Sequence, residues 1–447
     1  MSGLPKGWAA ADIGTLTAYV SRGRSPKYAV RSGLPVVNQK CVRWAGVDER
    51  HVKFVDPATW DAWSEERFLQ DGDILWNSTG TGTIGRAALY GGLPSFPRAV
   101  VDSHVTIVRA NQAVCSSYLF RFVQSPAVQD RIEGMQSGST NQVELNRSEV
   151  ISTEVPLPPL AEQRRIVAKL DALTARTARA RADLDRIPAL AARFKQAVLA
   201  KAFSEAEAEA LETTTLGAVS EEVRNGLSRR PEHAPPGFPI LKISAIRPLT
   251  VRLEEVRYYV VEPGEHVERY ALKSGDLLFT RFNGNPDLVA ACGRVRELPD
   301  EGMLYPDKLI RVRLDQDRVA PEFAEIIASS PQAREQLEQN IKSAAGQHGI
   351  SGGDLKLLRM PLPSVDFQKV IAHRTATALR EIDRLTAEAA AARRLLDRLD
   401  QAVLAKAFRG ELVPQDPADE PASVLLDRIR AERAAWPKAK RGRKAAA

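Results

Sequence analysis

The chain has 447 residues, 44% of them hydrophobic, and 63 Lys and Arg against 56 Asp and Glu give a net charge of +7 and a pI near 9.3. This length predicts a globular protein of two or three domains, and the basic balance favours an anionic partner such as nucleic acid. Three scattered cysteines argue against a disulfide framework, and with neither a signal-like start nor a run of 18 apolar residues the chain is expected to be cytoplasmic and not to enter a membrane.

A glycine-rich stretch at residues 76–86, WNSTGTGTIGR, is the first motif along the chain. Its GTGTIG spacing is typical of a dinucleotide loop, which needs a preceding strand, a following helix and an acid about 20 residues later. Residues 73–76 suit a strand, and Asp102 lies near the required distance. The glycines and prolines of the following RAALYGGLPSFPRAV argue against the helix, so we predict a turn between two strands.

A proline-rich hinge at residues 155–159 leads into a long helix. Apolar residues recur at alternating steps of four and three from Ile166 to Val198, with charged residues between them. Pro188 should interrupt this helix, because proline removes a backbone hydrogen bond. At about 1.5 Å per residue the apolar stripe spans roughly 50 Å.

The chain then repeats itself. QAVLAKAF occurs at residues 196–203 and again at 401–408, a shift of 205 positions. The same shift relates the hinge PLP motifs, Ser-Pro pairs at 125 and 330, Gln163 to Gln368, and Gln142 to Gln347. The sequence therefore predicts two related half-molecules, each a globular unit followed by a helix.

The second copy of the glycine stretch, LLFTRFNGNPDLVAACGR at residues 277–294, has lost the three-glycine spacing. A shared cofactor loop is therefore disfavoured. A constant pair of strands around a divergent polar loop is typical of two related readers of different ligands.

The two apolar stripes predict helices that pair with each other, and antiparallel pairing is the economical arrangement because a globular unit separates them in the chain. The roughly 50 Å rod would then act as a ruler that sets two basic modules along DNA, whose helical turn is about 34 Å. The residues expected in the coiled-coil seam are Ile166, Leu170, Leu173, Leu184, Ile187, Phe194, Val198, Ile371, Ile382, Leu385, Leu396, Leu399 and Val403.

The predicted fold class is α+β, with two globular domains rich in short strands, an internal pseudo-two-fold repeat and two long helices in an antiparallel coiled coil. The predicted boundaries, in chain order, are a first globular domain at 1–156, a first spacer helix at 157–212, a second globular domain at 213–361, a second spacer helix at 362–410, and a C-terminal helix with a basic tail at 411–447.

Three stretches together resemble the specificity subunit of type I restriction-modification enzymes. They are VPLPPLAEQRRIVAKLDAL at 155–173, QAVLAKAF, and KAFRGELVPQDPADEPASVLLDRIRAERA at 406–434. The resemblance spans the whole chain. The sequence departs from the family pattern in the second hinge, which reads PSVDFQ at 363–368, whereas the first hinge reads PPLAEQ at 158–163.

The resemblance implies two target-recognition domains that choose a split sequence in double-stranded DNA, with two methyltransferase subunits bound along the helices. Restriction subunits are further candidate partners. It also implies a non-catalytic chain that binds no cofactor, since S-adenosylmethionine and ATP would be used by the partner subunits.

The residues agree that catalytic motifs are absent. The string nearest to the Asn-Pro-Pro-Tyr motif of adenine methyltransferases is NPDL at 285–288, and no P-loop string occurs. A nuclease site built from Asp307 with Asp354 and Lys356 has no counterpart in the first half. The histidines lack metal-ligand spacing, so no metal site is expected.

DNA contacts are expected from Lys and Arg on phosphates and from polar side chains on base edges. The candidates in the first half are Arg22, Arg24, Lys27, Asn77, Ser78, Thr79, Asn141 and Gln142, and those in the second half are Arg229, Arg230, Lys242, Arg281, Asn283, Gln347 and His348. The basic tail at 438–444 is interpreted either as a DNA-binding arm or as a solubilising end.

Two other functions stay open. The first is a free-standing enzyme that uses the glycine loop for a nucleotide, which would be stabilised by that nucleotide. The second is an adaptor whose coiled coil joins proteins without DNA, which would not be retained on duplex at moderate salt.

Overall fold

A computed structural model describes residues 3–80, 82–137, 143–344 and 346–435. Two compact units result, one formed by Met1–Asp183 with Ala392–Ala447 and the other by Leu184–Ala391. Each unit contains one globular domain, called here the first head (residues 3–157) and the second head (residues 212–362). In the described part of the chain, no helix is long and apolar enough to cross a membrane.

In its described residues, the first head combines short strands with short helices. Its strands are β1 Ala9–Asp12, β2 Thr17–Arg22, β3 Tyr28–Ala29, β4 Pro35–Val37, β5 Val42–Arg43, β6 Gly46–Val47, β7 Lys53–Val55, β8 Ile74–Asn77, β9 Ala87–Leu89, β10 Val100–Val101, β11 Val105–Ala110, β12 Gln136–Ser137, β13 Glu144–Leu145 and β14 Glu154–Leu157. Its helices are α1 Ile13–Leu16, α2 Ser116–Val123, α3 Pro126–Gln129 and α4 Arg147–Ser152.

The first long helix follows as α5 Leu160–Leu184 and α6 Ile187–Ala208. The strands of the second head are β15 Glu212–Thr215, β16 Ser220–Asn225, β17 Phe238–Leu241, β18 Ile246–Arg247, β19 Thr250–Val251, β20 Val256–Tyr259, β21 Leu277–Thr280, β22 Phe282–Asn283, β23 Cys292–Arg294, β24 Leu309–Leu314, β25 Lys342–Ala344, β26 Gln347–Gly349 and β27 Arg359–Leu362. The remaining helices are α7 Pro321–Ala328, α8 Pro331–Glu338, α9 Gly352–Lys356, α10 Val365–Phe408 and α11 Ala422–Ala435.

An antiparallel four-stranded sheet forms the centre of each head, in the order β2-β11-β8-β9 in the first and β16-β24-β21-β23 in the second. Successive side chains of β8 enter different cores, with Ile74 and Trp76 in one and Leu75 in the other. This alternation is the two-residue period of a strand covered on both faces. It explains why every residue of β8 is buried.

A buried ion pair is repeated at the same place in both sheets. Asp73 accepts from Arg109 Nε at 2.7 Å in the first head, and Asp276 accepts from Arg313 Nη2 at 2.8 Å in the second. Both aspartates are almost fully buried, so each carboxylate needs this partner. The repeat predicted from sequence thus extends to individual side-chain contacts.

The first long helix is interrupted close to Pro188, as predicted. A turn at Asp185 and Arg186 separates α5 from α6, and Pro188 lies in the first turn of α6. Proline is tolerated there because its missing N–H has no partner within the helix.

The long helices pair antiparallel inside each unit. In the first unit Arg181 of α5 contacts Asp397 and Asp400 of α10 at 3.0 and 2.7 Å, while Ile166, nearer the start of α5, shares a core with Phe408 at the end of α10. In the second unit Lys195 pairs with Asp383, and Glu205, further along α6, pairs with the earlier Arg374. The predicted antiparallel pair is confirmed.

The phase of the seam differs from the prediction. Phe194, Leu385 and Leu399 are exposed by 62%, 50% and 49%, so the expectation that these three lie in a buried seam is wrong. Covered positions of α10 instead include Ile371, Ile382, Arg393 and Leu404, which lie eleven residues apart. A straight helix drifts by about 20° per heptad, so a 3.5-residue stripe leaves the interface within a few turns.

The other expected seam residues are more covered. Ile166, Leu170 and Ile371 are buried in the cores that join helix ends to heads. Those of intermediate exposure are Leu173, Leu184, Ile187, Val198, Ile382, Leu396 and Val403. Apolar contact between the helices is therefore strongest at their ends.

The C-terminal segment packs within the first unit. The N–H of Ala422, the first residue of α11, donates to Gly7 O at 2.9 Å, and Arg165 of α5 pairs with Asp419 at 2.6 Å. Leu426 and Ile429 bury their side chains in the core of the first head. The basic tail at 438–444 lies outside the described residues.

Candidate nucleic-acid interface

In the second head, four of the predicted DNA-binding residues come together on one small sheet. Strand β22 follows β21 after the single residue Arg281, and Asn283 on β22 lies opposite His348 on β26. Strand β25 pairs with the other edge of β26, which also carries Gln347. We call β22, β25, β26 and Arg281 the second hairpin surface.

Packing fixes the polar groups of the second hairpin surface. The Arg281 guanidinium lies 4.6 Å from the Phe282 ring centroid, and its Nη1 donates to Asp307 O at 3.3 Å. His348 Nδ1 and Ser343 Oγ are hydrogen-bonded at 2.7 Å. A Cβ at Gly349 would lie 2.4 Å from Phe282, so only glycine allows this close pairing.

The first head has a related hairpin built from different residues. Strands β12 and β13 pair antiparallel, Leu145 N–H donates to Ser78 O at 2.7 Å, and Thr79 bridges Glu144. Arg22, at the end of β2, holds Glu144 through Nη1 at 2.5 Å and Nη2 at 3.0 Å. We call β12, β13 and Arg22 the first hairpin surface.

The Arg22–Glu144 pair also sets the charge state of this surface. Its hydrogen bonds favour the ionised carboxylate and lower the pKa of Glu144. The predicted residues Asn141 and Gln142 belong to the chain between β12 and β13 and lie outside the described residues.

Three residues of the first head that were predicted to contact DNA are buried, so that prediction is wrong for them. Asn77, Ser78 and Thr79 are exposed by 0%, 1% and 9%. Asn77 Nδ2 donates to Gln39 O at 3.1 Å, and Thr79 Oγ1 contacts His104 Nδ1 at 2.6 Å. These side chains support the loop from inside, because they end a central strand of a covered sheet.

Arg24 and Lys27 lie in the segment between β2 and β3. Arg24 donates to Ala62 O at 2.8 Å and lies 5.0 Å from the Trp63 ring. Lys27 is exposed. Both remain candidates for phosphate contacts, since neither forms an ion pair within the described residues.

Arg229 is less suited to DNA than predicted. It pairs with Glu262 and with Glu265 at 3.1 Å, and it lies 4.6 Å from the Tyr259 ring. These carboxylates offset its charge. Arg230 and Lys242 are exposed and outside the second hairpin surface.

Sequence reasoning missed Glu144, Lys342 and Ser343. Lys342 and Ser343 lie on β25 and are exposed beside His348. Two short polar stretches, around residues 136–145 and 342–349, could have indicated these residues. The 205-residue shift aligns the two stretches, which form equivalent hairpins in the two heads. Glu144 was hidden because its partner Arg22 lies 122 positions away.

The glycine loop is a turn, as predicted. It joins β8 to the antiparallel β9, and its N–H groups serve the turn itself, with Ile84 donating to Gly80 O at 3.0 Å and Gly85 to Asn77 O at 3.0 Å. A phosphate cradle needs such N–H groups turned towards the ligand. The dinucleotide interpretation therefore has no support in the described part of this loop.

The chemistry available at the hairpin surfaces is hydrogen bonding and charge. Among the described residues, no cluster of His, Cys, Asp and Glu side chains is suited to a metal ion. Burial raises the pKa of Cys41 to about 11 and also raises that of Cys292, which keeps both thiols protonated at neutral pH. Amide, imidazole, hydroxyl and guanidinium groups are the types that read base edges.

Comparison with known proteins gives one consistent family. Residues 64–188 match the family model described as the type I restriction modification DNA specificity domain. The chain is 32% identical to the EcoKI specificity subunit of Escherichia coli (strain K12), covering 97% of each chain, and 28% identical to the StySPI specificity subunit of Salmonella potsdam, covering 96% of each.

A solved structure has the same fold. It is described as "Structural basis underlying complex assembly and conformational transition of the type I R-M system", and it matches 92% of this chain and 100% of its own with a TM-score of 0.70 at 20% identity.

Proposed function

This chain belongs to the specificity subunits of type I restriction-modification enzymes, and from that premise we propose that it selects a bipartite DNA sequence, each head reading one half. It holds two methyltransferase subunits along its long helices, and restriction subunits are further partners. The chain itself binds no cofactor and performs no catalysis, since partner subunits use S-adenosylmethionine and ATP. It acts in the cytoplasm.

The observation that carries this proposal is a shared frame with divergent hairpins. Both heads have the same strand order around a buried Asp–Arg pair. Their hairpin surfaces differ, with a charged pair of Arg22 and Glu144 in one and a polar set around His348 in the other. Two domains that recognise different half-sites can share a central sheet but need different hairpin surfaces, because phosphate contacts do not depend on DNA sequence whereas base contacts do.

Exposed apolar side chains on the long helices support the proposed binding of partner subunits. Leu190 and Phe194 in the second unit are exposed by 42% and 62%, and Leu395 and Leu399 in the first by 56% and 49%. We assign these residues to the methyltransferase contact, because the buried centre of a protein interface is more apolar than the rest of the protein surface.

The test is to co-express the chain with its methyltransferase subunits and to map methylated adenines by long-read sequencing. A split motif with a fixed gap is expected. Substituting Gln347 and His348 by Ala in the second hairpin surface should relax one half of that motif, by about 1–3 kcal/mol of discrimination per lost base contact, and leave the other half intact.

The matched control is the Ala substitution of Glu232, which is exposed in the same head and away from the hairpin. A continuous motif, or relaxation of both halves by the Gln347 and His348 substitutions, would contradict the proposal.

A further inference from the structure

The glutamine at the start of each long helix connects that helix to its head. Gln163, in the first turn of α5, is fully buried. Its Oε1 accepts from Cys115 N–H at 2.7 Å, and its Nε2 donates to Ala113 O at 3.2 Å and to Pro158 O at 3.0 Å. One side-chain amide thus connects the helix, the hinge and the loop between β11 and α2.

The same joint occurs in the second head. Gln368, in the first turn of α10, is also fully buried. Its Oε1 accepts from Ala320 N–H at 2.9 Å, and its Nε2 donates to Arg318 O at 3.1 Å and to Pro363 O at 2.8 Å. The three partners match those of Gln163 with the same shift of 205 residues.

This agreement persists although the residues around the glutamines differ. The first hinge reads PPLAEQ and the second PSVDFQ. Only the first proline and the glutamine are shared between these two segments. The divergence noted in the sequence therefore leaves the joint itself unchanged, so the joint has a role common to both halves.

Apolar packing alone does not fix the direction of a helix on a head. Ile166 and Leu170 supply burial at the first joint, but hydrophobic burial is non-directional. Three hydrogen bonds from one planar amide restrict both distance and angle. They also satisfy one backbone N–H and two backbone carbonyl groups at each joint.

We propose that Gln163 and Gln368 are positioning residues that fix the orientation of each head on its helix and so determine how strictly the complex selects the gap between half-sites. This inference rests on the proposed function. Lengthening the gap by one base pair moves the half-sites apart by about 3.4 Å and turns them by roughly 35°. Rigid joints resist this movement, whereas loose joints accommodate it.

The test uses the complete methyltransferase complex with Gln163→Leu, Gln368→Leu and the double variant. Single-turnover methylation is measured on duplexes whose gap is the preferred length or is one base pair longer or shorter. The ratio of rates between preferred and altered gaps should fall about tenfold in each single variant, equivalent to about 1.4 kcal/mol. Base preferences within each half-site should stay unchanged.

Matched controls are Gln112→Leu and Gln316→Leu. Both glutamines are exposed in the same loops that hold Ala113 and Arg318, so these substitutions should leave the gap ratio at its wild-type value. Gln163→Glu and Gln368→Glu would place a buried carboxylate against two carbonyl oxygens, so the gap ratio should fall at least as far as in the Leu variants.

Three outcomes overturn the inference. The first is an unchanged gap ratio in Leu variants that assemble and methylate, and the second is relaxed base preference in place of relaxed spacing. The third is measured on the wild-type complex. The amide protons of Cys115 and Ala320 should exchange with solvent as slowly as those of the central strands, and rapid exchange would show that these hydrogen bonds do not hold the helix to the head. If the wild-type complex methylates no split sequence at all, the proposed function fails instead.

Discussion

Arg22 and Glu144 show how the same hairpin is held differently in the two heads. In the first head they form a bidentate pair between the end of β2 and strand β13. At the corresponding positions the second head has Asn225 and Gly349, and its hairpin is held by pairing with β22. Arg22 is therefore expected to position the first hairpin rather than to contact phosphate directly.

Replacing Glu144 by Gln should weaken base discrimination in the first half-site only. The pair is partly exposed, and such pairs contribute about 0–1 kcal/mol, so the expected loss is at most about fivefold. Competition binding with single-base variants of each half-site measures it. Glu149→Gln, an exposed change on the neighbouring α4, is the control.

The double variant Arg22→Glu with Glu144→Arg separates positioning from direct DNA contact. It restores discrimination if the pair holds the hairpin, and it does not if Arg22 contacts phosphate. Because Arg22 lowers the pKa of Glu144, the pair persists above the unfolded pKa of about 4.3 and is lost only as pH falls through the lowered value. First-site discrimination that titrates between pH 6 and 9 would contradict this origin.

Residue chemistry could be predicted from the sequence only in part. The polar stretch Asn77-Ser78-Thr79 suits DNA as a list of side chains, but it ends a strand that is paired at both edges, with β11 and β9, and its side chains are buried. By contrast, Arg281, Asn283, Gln347 and His348 do converge. Their contact with DNA stays a prediction.

At the scale of elements, the phase of the apolar stripes along the long helices differs from the prediction. Spacer helices expected at 157–212 and 362–410 correspond to Leu160–Leu184 with Ile187–Ala208 and to Val365–Phe408. Periodicity finds a helix from its apolar residues. Periodicity does not distinguish the apolar residues that face the neighbouring helix from those that contact a different protein. We propose such a contact for Phe194 and Leu399.

Two substitutions on α10 should separate these roles. Phe408 packs edge-on against Tyr118 and Phe122, with ring centroids 5.3 and 5.2 Å away, so Phe408→Ala should lower the unfolding free energy of the first unit by about 3–5 kcal/mol. Leu399→Ala should leave it unchanged and weaken assembly with the methyltransferase. Urea unfolding and size-exclusion chromatography of the complex measure the two effects.

The assignment of Leu399 to the partner interface fails if its Ala variant destabilises the isolated chain as strongly as Phe408→Ala does. It also fails if assembly with the methyltransferase is unaffected.

At the scale of the whole molecule, the duplication explains most of the architecture. Each compact unit takes its head together with parts of both long helices, so the units cross the linear boundaries predicted at 156 and 361. The repeat length could be predicted from QAVLAKAF alone. The sharing of helices depends on packing: Phe408 at the end of α10 is buried in the core of the first head, and Phe203 near the end of α6 is buried in the core of the second.

The most direct test of the account changes the length of the helix pair without changing its phase. Inserting two eleven-residue blocks in the first long helix and two in the facing part of α10 adds about 33 Å to each helix, close to one helical turn of DNA. The methylated motif, mapped by long-read sequencing, should keep both half-sites and gain a gap longer by about ten base pairs, so that the half-sites still face the same way. An unchanged gap in an assembled, active complex would contradict the account.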